Sequence, residues 1–313
     1  MDKATNKGDF SQGSIFNHIL RLALPYILAE FVHVMYNIVD RMFIGHIPEI
    51  GTLALSGVGI VFPIISFINA FAGLWSTGGA PLCSIHRGKG DNEGAHDIME
   101  TCFTLLLVNA VVIMLVLFPT MKWTLHWMGA DESTYAYAKD YFSIYLLGTV
   151  FTYISLGANP FINMQGNSIV GMMTVLLGAA INIILDPIFI FVLGMGVKGA
   201  AWATVISQFC SALWAVTFLV SKRASVRLRK LCIKKDCIGK VFSLGVSGFM
   251  FKMTNSITQG VANITLSIFG GTMGTFYIGA MSIINSMREV VSLPITAMAH
   301  SAQQSFPTTM APS

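Results

Sequence analysis

Charge is scarce in this chain. Lys, Arg, Asp and Glu make up 11% of its 313 residues, where a soluble domain carries about 25%. With 54% hydrophobic residues and a mean hydropathy of +0.68, that deficit argues for a membrane protein. Period-two alternation is missing from its long apolar runs, which argues against an outer-membrane barrel. The Gly-rich loop "HRGKGDNEGAHD" lacks the G-x-x-x-x-G-K-[ST] order of a phosphate loop, so no ATP-driven step is expected. There is no Ser/His/Asp set and no His/Cys ligand cluster, so no enzyme and no cofactor are expected. Basic residues are not interleaved with exposed aromatics, and a nucleic-acid partner is not expected either. The five cysteines offer no zinc spacing. Cys83, Cys102 and Cys210 sit in apolar runs, and Cys232 and Cys237 flank a basic segment as free thiols facing a reducing compartment. The polar start "MDKATNKGDFSQGS" has no signal-peptide shape.

What the chain has is long apolar runs. A spanning helix needs about 20 such residues, and eight candidates meet that length: about 15–44, 53–84, 98–119, 141–164, 169–193, 200–220, 241–269 and 276–299. The fold class is an all-α polytopic membrane protein. Lys and Arg set its orientation. With the N-terminus inside, the inner segments hold Lys3, Lys7, Arg87, Lys89 and the run "SKRASVRLRKLCIKKDCIGK". The outer loops hold only Lys122, Lys139 and Lys198, with Arg41 at a helix end. The basic run is also the longest polar break and reads as a linker over 222–240. It follows a cytoplasmic tail (1–14) and a six-helix unit (15–221), and precedes 241–313. Anionic lipid headgroups would explain its charge equally well.

A charge at mid-helix costs about 2.5–3.5 kcal/mol on insertion scales, so each ionisable residue inside a span is a candidate site. These are Glu30, His33, Asp40, Asp186, Lys252, Arg288 and Glu289. On the first helix, Pro25 predicts a bend. His33, Asn37 and Asp40 follow at spacings of four and three, which puts them on one face toward a bundle interior or cavity. The alternative for Asp40 is neutralisation of neighbouring Arg41. On the fifth helix, Asn182 and Asp186 share a face at i and i+4, and Pro187 frees the carbonyl of Ile183. Carbonyl, amide oxygen and carboxylate at one level suit a cation or a proton, with Thr204 able to add a hydroxyl. The plainer reading is that Asn182 only bonds helices together. Asn159, with Pro160, is placed in the same cavity, and Gln165 and Asn167 in a cytoplasmic turn.

The segments "LALPYILAEFVHVMYNIVDRMFIG", "INMQGNS" and "INIILDPIFIFVLGMGVKGAAWATVISQ" resemble the multidrug and toxic compound extrusion (MATE) family, nearest its DinF-like or MepA-like prokaryotic branches. The resemblance implies a multi-pass protein of the bacterial cytoplasmic membrane. It would export amphipathic, often cationic compounds in exchange for H⁺ or Na⁺. It implies a cation site at Asp40, Asn182, Asp186 and Thr204, bending at Pro25, and cavity roles for Asn159 and Tyr141. Glu30, His33 and Asn37 are the further cavity candidates. Family members have about twelve helices in two six-helix lobes. Here a six-helix N-terminal lobe is followed by only the first two helices of a second, so a C-terminally truncated chain is expected, with the missing lobe or another copy as partner. The competing readings are a lipid-linked precursor flippase of the same superfamily and a non-functional membrane fragment.

Overall fold

A computed structural model describes the backbone of residues 15–309 and the side chains of 24–292 other than Tyr26 and Thr272. The expected tail at 1–14, with Lys3 and Lys7, lies outside the described residues. Eight long helices follow one another: α1 (Ile15–Gly45), α2 (Gly51–Gly88), α3 (Asn92–Trp127), α4 (Tyr135–Asn163), α5 (Ser168–Pro187), α6 (Val197–Val220), α7 (Lys235–Phe269) and α8 (Gly274–Thr309). No strand occurs among the described residues.

Several helices outrun the apolar segments that announced them. α3 begins at Asn92, where the Asp91 side chain accepts from the Gly94 N–H at 2.9 Å and caps the first turn. α7 begins at Lys235, inside the expected linker. Helix hydrogen bonding does not stop at the edge of an oily run, because polar flanks continue the helix until a cap or a glycine ends it. α1 runs through Pro25 without interruption. α5 does end at Pro187, and one π-helical turn (Ile188–Val192) carries the chain onward.

Five segments are by themselves long and apolar enough to cross a membrane: α2, α3, α4, Ser168–Val192 and α6. Among their described residues α1, α7 and α8 fall short of that apolarity. These three helices carry Glu30, Asp40, Lys252, Arg288 and Glu289, all of which face an internal cavity. Their polarity therefore points inward, as a bundle in lipid requires.

α2 is the central helix, packing on α1, α3, α4, α7 and α8. Its crossing with α7 depends on glycine. A Cβ on Gly78 would collide with the Val241 carbonyl, and one on Gly245 with the Leu74 carbonyl. Small residues allow such backbone approach between membrane helices.

The basic segment after α6 is not a free linker. It lies along the start of α3 as an extended strap. Glu100, 1% exposed, accepts from the backbone N–H of Arg229 and of Lys230, each at 3.3 Å, and from Cys232 Sγ. His96 faces the Arg227 backbone and Arg229 Nη2. Gln165, in the α4–α5 turn, accepts from Ser225 Oγ and the Val226 N–H, both at 3.1 Å. Asp97, Glu100 and Cys232 bring three ligand-type atoms within 4.8 Å of one another, a grouping no local spacing reveals. That cluster closes on the strap itself, with Lys234 Nζ 3.5 Å from Asp97.

At the opposite end, the α3–α4 loop ties to the start of α8. Thr275 Oγ1 donates to Asp131 at 2.8 Å, and Ser56 Oγ donates to the Thr275 carbonyl at 2.7 Å. Burial raises the Asp131 carboxyl, but hydrogen bonds from Ser133, Thr134 and Thr275 outweigh it and hold the group down to about 2.

Candidate functional site

The cavity occupies about 690 Å³ between two walls. One is built by α1, α4 and α6, and the other by α7 and α8, with α2 between them. Asp40, Tyr141 and Thr204 reach it from the first wall, as do Glu30, His33 and Asn37. Asn37 is partly engaged by its own helix, donating to the His33 carbonyl at 2.8 Å.

Asn182 and Asp186 lie behind that surface, each 0% exposed. Asn182 Nδ2 donates to Asp186 Oδ1 at 3.3 Å, as expected one turn apart on one face. The carboxyl groups of Asp40 and Asp186 lie within hydrogen-bonding reach of each other. The Tyr141 hydroxyl is similarly placed against Thr204. Three buried oxygens have no partner: Asp40 Oδ1, Asn182 Oδ1 and Asp186 Oδ2. An orphaned buried acceptor costs about 1–3 kcal/mol. A cluster of them is therefore chemistry waiting for a proton or a hard cation.

The local sequence explains the cluster. Pro187 cannot donate a backbone hydrogen bond, so α5 stops directly after Asp186. The start of α6 is Gly199, Ala200, Ala201 and Ala203, all buried. A Cβ at Gly199 would stand 2.7 Å from the Phe189 carbonyl carbon. That closeness seats Thr204 beside the acids.

Two placements differ from the sequence expectations. Asn159 does not line the cavity. Its Oδ1 faces Gly171 of α5, where a Cβ would stand 2.7 Å away, because that side of α4 packs on α5. Arg41 is not a loop residue and forms no ion pair with Asp40. It is 4% exposed and crosses to α8, where Nη1 donates to the Ser282 carbonyl at 2.6 Å and to Ser286 Oγ. Its guanidinium sits 3.9 Å from the centre of the Phe62 ring, a cation–π arrangement. The neutralisation alternative for Asp40 is thereby set aside.

Tyr36, Asn69, Tyr145 and Gln208 also line the cavity, and the sequence reading did not single them out. Aromatic and amide residues on oily helices carry no local mark of which way they face. Lys252, Arg288 and Glu289 stood out as intramembrane charges without an assigned place, and all three line the second wall.

Long apolar helices around a polar, ionisable cavity define a polytopic, membrane-spanning protein of the carrier type. The chain matches MatE over residues 25–188, more than half its length, and belongs to that family. It is 27% identical over 263 residues to the multidrug export protein MepA of Staphylococcus haemolyticus (strain JCSC1435), an alignment covering 83% of this chain and 58% of that protein. To MepA of Staphylococcus aureus (strain NCTC 8325 / PS 47) it is 24% identical over 276 residues, covering 88% and 60%. Among solved structures it superimposes on the MATE multidrug transporter DinF-BH in complex with rhodamine 6G with a TM-score of 0.89. Identity there is 29%, over 95% of this chain and 66% of that one. An outward-facing multidrug resistance MATE family transporter gives a TM-score of 0.82 at 25% identity, covering 95% and 66%. The chain thus spans about three-fifths of the length of the curated relatives it matches.

Proposed function

We propose that the chain acts in cation-coupled antiport, exporting amphipathic, cationic drugs or metabolites across the bacterial cytoplasmic membrane in exchange for H⁺ or Na⁺. The observation that carries this reading is the meeting of Asp40 and Asp186 with orphaned oxygens on both carboxyls and on Asn182. Two carboxylates in a low-dielectric pocket resist being ionised together. The pair therefore holds either a shared proton or one Na⁺, with Asn182 and Thr204 supplying further oxygens. Asp40 also faces the cavity, so the same group meets an organic cation from the chamber and the coupling ion behind it. Arrival of the ion neutralises Asp40 and weakens its hold on the cation, and movement of α1 about Pro25 completes release. MepA, a multidrug export protein, and DinF-BH with its bound dye are relatives for which such cargo is named.

The N-terminus faces the cytoplasm in this reading. Arg87, Lys89 and the strap at 222–234 gather at the end of the bundle where α2 and α6 finish and α3 and α7 begin, in keeping with the positive-inside rule.

The test is efflux of a cationic dye from cells producing the protein, at fixed external pH, with and without Na⁺. Asp40→Asn and Asp186→Asn should each abolish the gradient-driven part. Unchanged efflux in either variant would overturn the coupling role, and the response to Na⁺ separates the two ions.

A further inference from the structure

The second wall of the cavity carries cations. Lys252 of α7 and Arg288 of α8 face the chamber that Asp40 and Glu30 face from α1. Lys252 lies over Gly73 of α2, close enough that a Cβ there would stand 3.3 Å from its Nζ. Gly248, one turn before Lys252, is equally bare and faces the Thr77 side chain at 3.3 Å. The lysine stem thus lies in a trough made by two glycines, with its ammonium toward the chamber.

None of these charges is spent on a protein ion pair. Among the described residues no ion pair within 4.0 Å involves Lys252, Arg288, Glu30 or Glu289. Lys252 makes no hydrogen bond there either. A cation kept out of bulk water normally acquires a partner. The remainder of the chamber surface between the two charged walls is aromatic and aliphatic, including Phe62, Ile65, Leu156 and Phe251.

We infer that Lys252 is a specificity-determining residue that seats an anionic group of the cargo, so that the chamber takes amphiphiles bearing a carboxylate as well as a cation. The assignment rests on the efflux reading above and sharpens its substrate class from cationic to zwitterionic. A cargo with both charges meets the acids of α1 with one end and the ammonium of α7 with the other, its apolar body against the rings between. The Lys252 side chain is bare enough to engage an anion without first breaking a protein ion pair.

The experiment is fluorescence-polarisation binding to the purified chain in detergent with two matched dyes. Rhodamine 6G is an ethyl-ester cation, and its free acid is a zwitterion on the same xanthene frame. Lys252→Met should weaken the free acid about tenfold, the effect of losing one charge-assisted hydrogen bond, and leave the ester within about twofold. Lys252→Arg should restore free-acid binding. An equal loss for both dyes, or no loss for either, overturns the assignment, since a lysine that only balances Glu30 does not distinguish an ester from an acid. In those outcomes the efflux reading stands, because the wild-type chain binds dye. If the wild-type chain binds neither dye, the efflux reading falls and the Lys252 assignment with it. Thermal melting of each variant checks that the fold is kept.

Discussion

Asp186 and Lys252 carry opposite charges around one chamber and are held in opposite ways. Asp186 is wholly buried, with Asn182 donating to it from one turn away and Asp40 closing over it. Lys252 stands on the facing wall over a glycine trough, with no ion pair among the described residues. The acid wall is built into the packing of α1, α5 and α6, so its polar groups are structural as well as functional. The basic wall is attached across α2 and leaves its charge free for cargo. A buried group whose partners are protein costs stability when altered, whereas a group waiting for cargo does not.

The largest effect should come from separating the walls. Gly245→Leu drives a side chain into the Leu74 carbonyl at the α2–α7 crossing, with an expected loss of about 3 kcal/mol. Thermal unfolding in detergent measures it, and an unchanged melting point would show that the crossing is looser than described. Next, Asn182→Ala strips Asp186 of its donor. A buried carboxyl left without that bond costs about 2 kcal/mol, read from the same melts. A smaller effect is pH-dependent and lies at the latch between the α3–α4 loop and α8. Asp131 is held down to about 2, below the ordinary value of about 3.9. Its contribution is therefore complete above about pH 4 and is lost as pH falls through about 2. Asp131→Asn should flatten stability against pH in that window, by no more than about 1 kcal/mol because the site is solvent-screened. The smallest effect is the most telling. Lys252→Met should change stability by less than about 0.5 kcal/mol, against the loss at Asn182. Similar losses at both positions would erase the contrast between the walls.

Several features were legible along the chain. The eight helices follow from the lengths of the apolar runs, and the pairing of Asn182 with Asp186 follows from helical spacing. Both depend on residues within one or two turns of each other, where backbone geometry alone sets which side chains share a face. The break after Asp186 was equally local, because the missing N–H belongs to Pro187 itself. Pro25 shows the limit of that reasoning, since the helix continues through it.

Other features were settled only by packing. Helical periodicity names the residues on a stripe but not the helix the stripe will meet. Asn159 shared the polar character of the cavity residues yet turned to α5, because Gly171 opens the space there. Arg41 follows Asp40 directly in sequence but points to α8, since successive helix positions lie about 100° apart. The basic run after α6 read as a linker by composition. Its attachment depends on Glu100, His96 and Gln165, which lie 60 or more positions earlier. Sequence alone thus determined that this chain is a bundle of membrane helices with acids at Asp40 and Asp186. Only the tertiary structure decided that these acids meet, and that Lys252 faces them across a common chamber. Desolvation makes every charge in an oily helix seek the interior, but which interior surfaces then face one another depends on how whole helices pack.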